Sequence, residues 1–216
     1  MNRRNLILAI GAIAVAGFGA STLFYNRRTA SISAPAQESN MLVRPHAPVI
    51  GPANAPVTIV EFFDPACETC RAMYPVVKDI LAKYPTDVRL VVRYAPFHKG
   101  ADEAVRILEM GRKQGMYVKI KEAILAAQPE WADHGQPKIE LAWAAAGAAG
   151  LNIDAARKGM MAADVTTILT QDMTDLRAAG VRQTPTFFVN GKPLPSFGIR
   201  QLQELVRAEV EATRKK

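Results

Sequence analysis

Two cysteines, separated by two residues and set just after an apolar run of strand length, constrain this chain more than any other feature. Residues 57–63 read Val-Thr-Ile-Val-Glu-Phe-Phe, and the Asp-Pro-Ala-Cys-Glu-Thr-Cys that follows carries Cys67 and Cys70, the only cysteines. The run is β-branched and aromatic, and it is bounded by Pro56 and by Asp64-Pro65, as a strand is. From Arg71 to Lys83, Met73, Val77, Ile80 and Leu81 recur at helical spacing. The dicysteine therefore sits at a strand-to-helix turn.

Three chemistries compete for such a pair. A structural disulfide closing so short a loop removes little entropy from the unfolded chain and stabilises least. Structural zinc needs four ligands, and neither a second cysteine pair nor closely spaced histidines exist: His46, His98 and His134 are scattered. Copper(I), which accepts two thiolates, stays open, with Met73 as a nearby further donor. The spacing favours disulfide exchange. A thiolate at Cys67 is stabilised by the helix N-terminus, and Cys70, one turn further in, is placed to attack a mixed disulfide.

The rest of the chain frames this turn. Residues 88–94 form a second strand, and no strand signal appears from Gly100 to Ala179. Helical segments are predicted over 101–114, 117–127, 138–149, 153–161 and 164–179, broken at Gly115, Gln128-Pro129 and Gly150. Strand character returns at Thr186-Phe187-Phe188-Val189, with the hairpin signal Asn190-Gly191 after it. A last strand over 193–197 belongs at a sheet edge, because Pro193 and Pro195 cannot donate to a ladder. An amphipathic helix over 199–213 closes the chain. This order implies an α/β fold with a helical insertion, at about 100–179, between βαβ and ββα halves of one sheet.

The N-terminal part points to a compartment. Residues 6–25 carry no charge, and 20 helical residues span about 30 Å, the hydrocarbon thickness of a bilayer. Residues 1–25 are expected to be a membrane anchor or signal segment. Length favours an uncleaved anchor, with Ala14-Val15-Ala16 as the candidate cleavage site and Arg3-Arg4 as a possible twin-arginine signal. Residues 26–56, rich in Ala, Ser and Pro, read as a linker, and the folded domain is expected over 57–216. Net charge is +7, but Arg3, Arg4, Arg27 and Arg28 supply four of those charges, leaving +3 over residues 29–216. No basic stripe interleaved with aromatics exists, so nucleic acid is not an expected partner.

The strand VTIVEFF, CETC at a helix start and the distant Thr184-Pro185-Thr186-Phe187 together resemble the thioredoxin superfamily. The long helical block between them is similar to the DsbA-like branch of exported thiol-disulfide oxidoreductases, with the resemblance running from about Val57 to Val206. Pro96-Phe97-His98, Gly150-Leu151-Asn152-Ile153-Asp154 and Gly180-Val181 add to it. It implies a thioredoxin fold, attack at Cys67 and resolution by Cys70. Pro185 matches the cis-proline beside the redox pair, Thr184 would offer its backbone to a substrate peptide, and Pro75 matches a kink proline in the active-site helix. Glu61 matches a buried acid that exchanges a proton with the second cysteine; the alternative is a carboxylate on the solvent face of an edge strand.

Three positions depart from the family pattern. Gln183 replaces a common glycine, and Lys121 stands where relatives often have a histidine, which removes any ligand or packing role expected there. The middle pair Glu68-Thr69 lacks the histidine of strong oxidants. Glu68 is expected to raise the Cys67 pKa and make the couple less oxidising. Trp131, Trp143, Met160 and Met161 read as core, and His98 and His134 as ordinary loop or core histidines.

The expected function is thiol-disulfide exchange with cysteine-containing exported proteins, without a small-molecule cofactor or metal. It would need a membrane or periplasmic redox partner to reset the pair. The chain is expected to act as a monomer, since residues 26–56 do not read as a dimerising module. Reductase or isomerase activity, copper(I) handling and a non-catalytic peptide adaptor are the alternatives.

Overall fold

Val57–Phe63 carries apolar side chains on both of its faces, so it must be covered on both, and its place in the sheet is central. The computed structural model describes residues 41–215. Five strands, β1 (Val49–Ile50), β2 (Val57–Phe63), β3 (Val88–Tyr94), β4 (Thr186–Val189) and β5 (Lys192–Pro193), lie in the order β1-β3-β2-β4-β5. β2 and β3 are parallel, joined through helix α1 (Glu68–Lys83), and every other pairing is antiparallel. The architecture is a thioredoxin-type mixed sheet with helices.

Between β3 and β4 come α2 (Ala101–Lys113), α3 (Tyr117–Ala126), α4 (Gln128–Trp131), α5 (Ile139–Ala148), α6 (Ile153–Gly159) and α7 (Ala163–Ala178); α8 (Ile199–Arg214) closes the chain. The helix α4 forms where the sequence reading puts only a break, because Pro129 occupies the first turn, where a missing N–H costs nothing. Helix α1 runs unbroken through Pro75. The hairpin turn has positive φ at both Asn190 and Gly191, the geometry that asparagine and glycine tolerate. The edge strand stops at Pro193, short of the expected 193–197, since Pro193 and Pro195 offer no N–H to extend the ladder.

Side-chain alternation along β2 sorts the two faces. Val57, Ile59 and Phe63 join the larger core with α1, the insertion and α8, while Val60 and Phe62 join a smaller core with Leu42, Ala47, Leu176 and Val181. Trp131 and Trp143 are buried and Met160 packs against the core, but Met161 is exposed.

The expected linker does not extend through residue 56. Residues 41–50 pack on the domain: β1 pairs with β3, Leu42 and Ala47 are buried, and Arg44 and His46 pair with Asp175 and Asp172 of α7 at 2.7 Å each. The same two carboxylates hold Arg93 of β3, which is fully buried and also donates to the carbonyls of Met41 and Leu42. No local periodicity marks this segment, because its partners lie on β3 and α7, far along the chain. The anchor or signal segment over 1–25 falls outside the described residues. Among the described residues no helix is long and apolar enough to cross a membrane.

Candidate active site

Cys67 is the N-cap residue of α1, with extended backbone and its thiol not used as a cap. Asp64-Pro65 ends β2, and the chain turns so that Cys67 N donates to Asp64 O at 3.1 Å before the helix begins. One turn in, Cys70 is fully buried, whereas Cys67 keeps 6% exposure. Both are free thiols. From the far end of the chain the loop before β4 returns, and Cys67 Sγ lies 3.2 Å from the carbonyl oxygen of Thr184. The Thr184–Pro185 peptide is cis.

The two sulfurs differ sharply in acidity. The Cys67 thiol is lowered to about 5: the hydrogen bond from the Cys70 side chain contributes most, burial opposes it, and the Thr184 side chain and backbone N–H groups of Cys70 and Thr69 add to it. Cys70 is driven far above the ordinary thiol range, chiefly by burial, then by its hydrogen bond to Cys67 and the charge of Glu61. The outer sulfur is thus the more acidic of the two, and burial holds the inner one as a thiol.

Glu61 lies on the larger core's side of β2, 1% exposed, and so is not on a solvent face. Its pKa is raised, first by burial, against the opposing pull of Lys121. Lys121 Nζ, fully buried on α3, lies 3.4 Å from Glu61 Oε2, 4.1 Å from the Phe63 ring centroid and 5.0 Å from that of Tyr74. Glu61 Oε1 has no hydrogen-bond partner among the described residues. Lys121 thus has the packing role that its departure from the family pattern argued against: its stem fills the core and its Nζ meets the buried carboxylate of Glu61.

Around the CETC turn the insertion and the loop after β3 supply further groups. Gln128, 1% exposed, donates through Nε2 to the carbonyls of Pro65 at 2.8 Å and Cys67 at 3.0 Å, and accepts from Arg71 Nε at 2.8 Å. Asp64 is fully buried and accepts from the backbone of Ala66, Phe97 and His98, while its own N–H donates to Cys70 Sγ at 3.4 Å. His98 Nδ1 lies 2.7 Å from Asp64 Oδ2, the His98 and His134 rings lie 4.9 Å apart, and His134 Nε2 lies 2.9 Å from Glu68 Oε1. Glu68 has a lowered pKa, from its own backbone N–H first and then, against burial, from the histidines. An open cleft of about 410 Å³ beside the turn is lined by Glu68, Gln128, Pro129, Ala132 and His134.

Cys67, Cys70, Glu61, Glu68, Thr69, Thr184 and Pro185 thus gather at the C-terminal end of β2 and the start of α1. The sequence reading missed Gln128 as a site residue and the contact of Lys121 with Glu61, both from segments distant in the chain. The local signal for Lys121 is faint, since it stands between apolar Ile120 and Ile124 but also beside charged Lys119 and Glu122. Among the described residues, no group of three or more His, Cys, Asp or Glu side chains gathers that could hold a metal ion.

Comparison with known proteins agrees with this geometry. The family model described as Thioredoxin matches residues 44–208. A Na(+)/H(+) antiporter NhaA 3 of Salinispora tropica is 33% identical over 147 residues, 67% of this chain but 22% of that protein. The chain spans about a quarter of the length of the curated relatives it matches. Among solved structures, a thioredoxin-like oxidoreductase from Silicibacter pomeroyi is 30% identical with a TM-score of 0.68, covering 80% of this chain and 95% of that one. Wolbachia pipientis alpha-DsbA1 shares the fold at 17% identity and a TM-score of 0.71, covering 81% and 96%. With two cysteines at the strand-to-helix turn and a helical insertion splitting the sheet, the chain belongs to the thioredoxin family.

Proposed function

We propose that the chain exchanges disulfides with cysteine-containing exported proteins through Cys67 and Cys70, as a moderate oxidant. The observation that carries this reading is the asymmetry of the pair: a thiolate-prone Cys67 at the helix N-terminus, 3.2 Å from the Thr184 carbonyl, with the neutral Cys70 sealed behind it. In the oxidising direction a substrate thiolate attacks Sγ of Cys67 in the Cys67–Cys70 disulfide. The S–S bond breaks, Cys70 leaves and takes up a proton, and a mixed disulfide forms. The second substrate thiolate attacks its own sulfur in that bond and expels Cys67. Two electrons pass to the protein, the substrate gains a disulfide, one proton stays on Cys70 and one goes to solvent.

A low Cys67 pKa stabilises the reduced form, which makes the disulfide an oxidant. In our reading Glu68 tempers this, and Glu61 accepts or returns the Cys70 proton while Lys121 holds its carboxylate in place. Thr184 and Pro185 hold the substrate backbone as an added strand beside Cys67. A membrane or periplasmic redox partner withdraws the two electrons afterwards. The uncharged segment over 6–25 supports anchorage in the inner membrane with the catalytic domain outside the cytoplasm. The chain acts as a monomer in this account.

The test is the reduction potential of the pair in glutathione buffers together with its redox state trapped in cells. A reversible two-electron couple, mostly oxidised in cells, supports the oxidase reading. A mostly reduced pair reverses the direction, and failure to form the disulfide contradicts the function.

A further inference from the structure

The site contains two histidines that the exchange chemistry does not use. His98 comes from the loop after β3 and His134 from the loop after α4, and both converge on the first turn of α1. Their contacts form a continuous path: Cys70 Sγ to Asp64 N at 3.4 Å, Asp64 Oδ2 to His98 Nδ1 at 2.7 Å, the two rings at 4.9 Å, and His134 Nε2 to Glu68 Oε1 at 2.9 Å. The path thus starts at Cys70 and ends at Glu68, one of the two residues between the cysteines.

We propose that His98 and His134 form an imidazole pair that tunes the Cys67–Cys70 couple from outside the motif, offsetting Glu68 and stabilising the Cys67 thiolate. The inference rests on the redox reading above and deepens it. The motif lacks a histidine of its own, and its one ionisable middle residue is an anion. An anion beside the attacking sulfur opposes the thiolate, but here it is answered by His134, and His98 adds a second cation-capable ring held in one orientation by Asp64.

Every charged neighbour bears on the sign. His98 faces Asp64 and, at longer range, Cys67 and Glu68; burial lowers its pKa, the Asp64 hydrogen bond and charge raise it, and the net shift is upward. His134 faces Glu68 and the carboxylate of Asp133, which the backbone N–H groups of Gly135 and Gln136 also hold. Lys99 Nζ is engaged by the Gly135 carbonyl and Arg71 by Gln128, so both cations are turned to other acceptors. Because a thiolate exists at Cys67 only in the reduced form, each protonated ring favours reduction. By linkage, reduction must then raise the affinity of the rings for protons. His134 and Glu68 are more than half exposed, so salt screens their part more than that of His98.

The experiment measures the equilibrium of the full chain with glutathione and the Cys67 thiolate absorbance against pH. It compares wild type with His98→Gln, His134→Gln, Glu68→Gln and the double variant Glu68→Gln/His134→Gln. Each histidine variant is expected to be less oxidising, by about threefold to tenfold in the equilibrium constant, the tenfold end being about 30 mV. Glu68→Gln should be more oxidising, and the His134→Gln effect should shrink in its background, where His134 has lost its carboxylate partner. Should His98→Gln fold poorly, the His98 ring of the wild type is titrated by NMR instead, with a higher midpoint expected in the reduced than in the oxidised protein. Unchanged potentials in folded variants, or equal midpoints, overturn the inference while leaving the redox pair intact. If the wild type itself forms no reversible disulfide, the redox reading falls, and the inference with it.

Discussion

Lys121 Nζ and Glu61 Oε2 lie 3.4 Å apart beneath Cys67 and Cys70, and neither side chain reaches solvent. Breaking one half of a buried pair strands the other, at a cost of about 3–5 kcal/mol, whereas replacing both by apolar groups is often neutral. Lys121→Met is therefore expected to lower stability by about 3 kcal/mol, limited by Glu61 taking up a proton. The double variant Glu61→Leu/Lys121→Met should lie closer to wild type than Lys121→Met alone. Urea unfolding of the reduced proteins at neutral pH checks this; additive losses would contradict it.

The acidity of Cys67 has a direct kinetic reading. Alkylation by iodoacetamide should follow a titration with a midpoint of about 5 and stay flat through neutral pH. In Cys70→Ala the largest stabilising hydrogen bond on that thiolate is gone, so the midpoint should move up.

The same acidity couples redox state to stability. The folded pKa of Cys67 is depressed from 9.0 to about 5, so its contribution is fully present above the unfolded value and is lost as pH falls through 5. Only the reduced protein has this term. Between pH 7 and pH 5 the stability of the reduced protein relative to the oxidised one should fall by about 2 kcal/mol, read from paired denaturation curves.

Arg93 sits fully buried between Asp172 at 2.8 Å and Asp175 at 2.7 Å, and it holds the carbonyl of Leu42 at 3.1 Å. Arg93→Met should cost about 3–5 kcal/mol and open the chain ahead of β1 to limited proteolysis. Asp175 is lowered to about 2, burial working against the hydrogen bonds from Arg44, Arg93 and Gln171 that outweigh it. That contribution, about 2 kcal/mol, is present above pH 3.8 and is lost as pH falls toward 2, which acid denaturation of Asp175→Asn against wild type checks.

Local pattern carried much of the sheet. Residues 57–63 and 88–94 read as strands because β-branched runs between turn residues leave little choice, and Asn190-Gly191 marked the hairpin. The cysteine pair was legible as a candidate site because C-x-x-C after a strand is a local feature. What stayed hidden acts across the chain. Residues 41–50 are held by Asp172 and Asp175, Lys121 by Glu61 sixty residues earlier, and His134 by Glu68. Glu68 is the instructive case. Its charge could be read from the motif, but whether it stands alone beside Cys67 could not, and the fold answers it with an imidazole.

The central claim, nucleophilic exchange at Cys67 with resolution by Cys70, is tested most directly by trapping. Cys70→Ala protein is mixed with oxidised glutathione or an unfolded disulfide-containing protein, quenched with acid, and examined by intact mass. The account predicts a stable mixed disulfide on Cys67 at neutral pH, reversed by reductant and absent from Cys67→Ala. An unmodified Cys67 under these conditions, or an adduct that forms equally on Cys70 in Cys67→Ala, would contradict it.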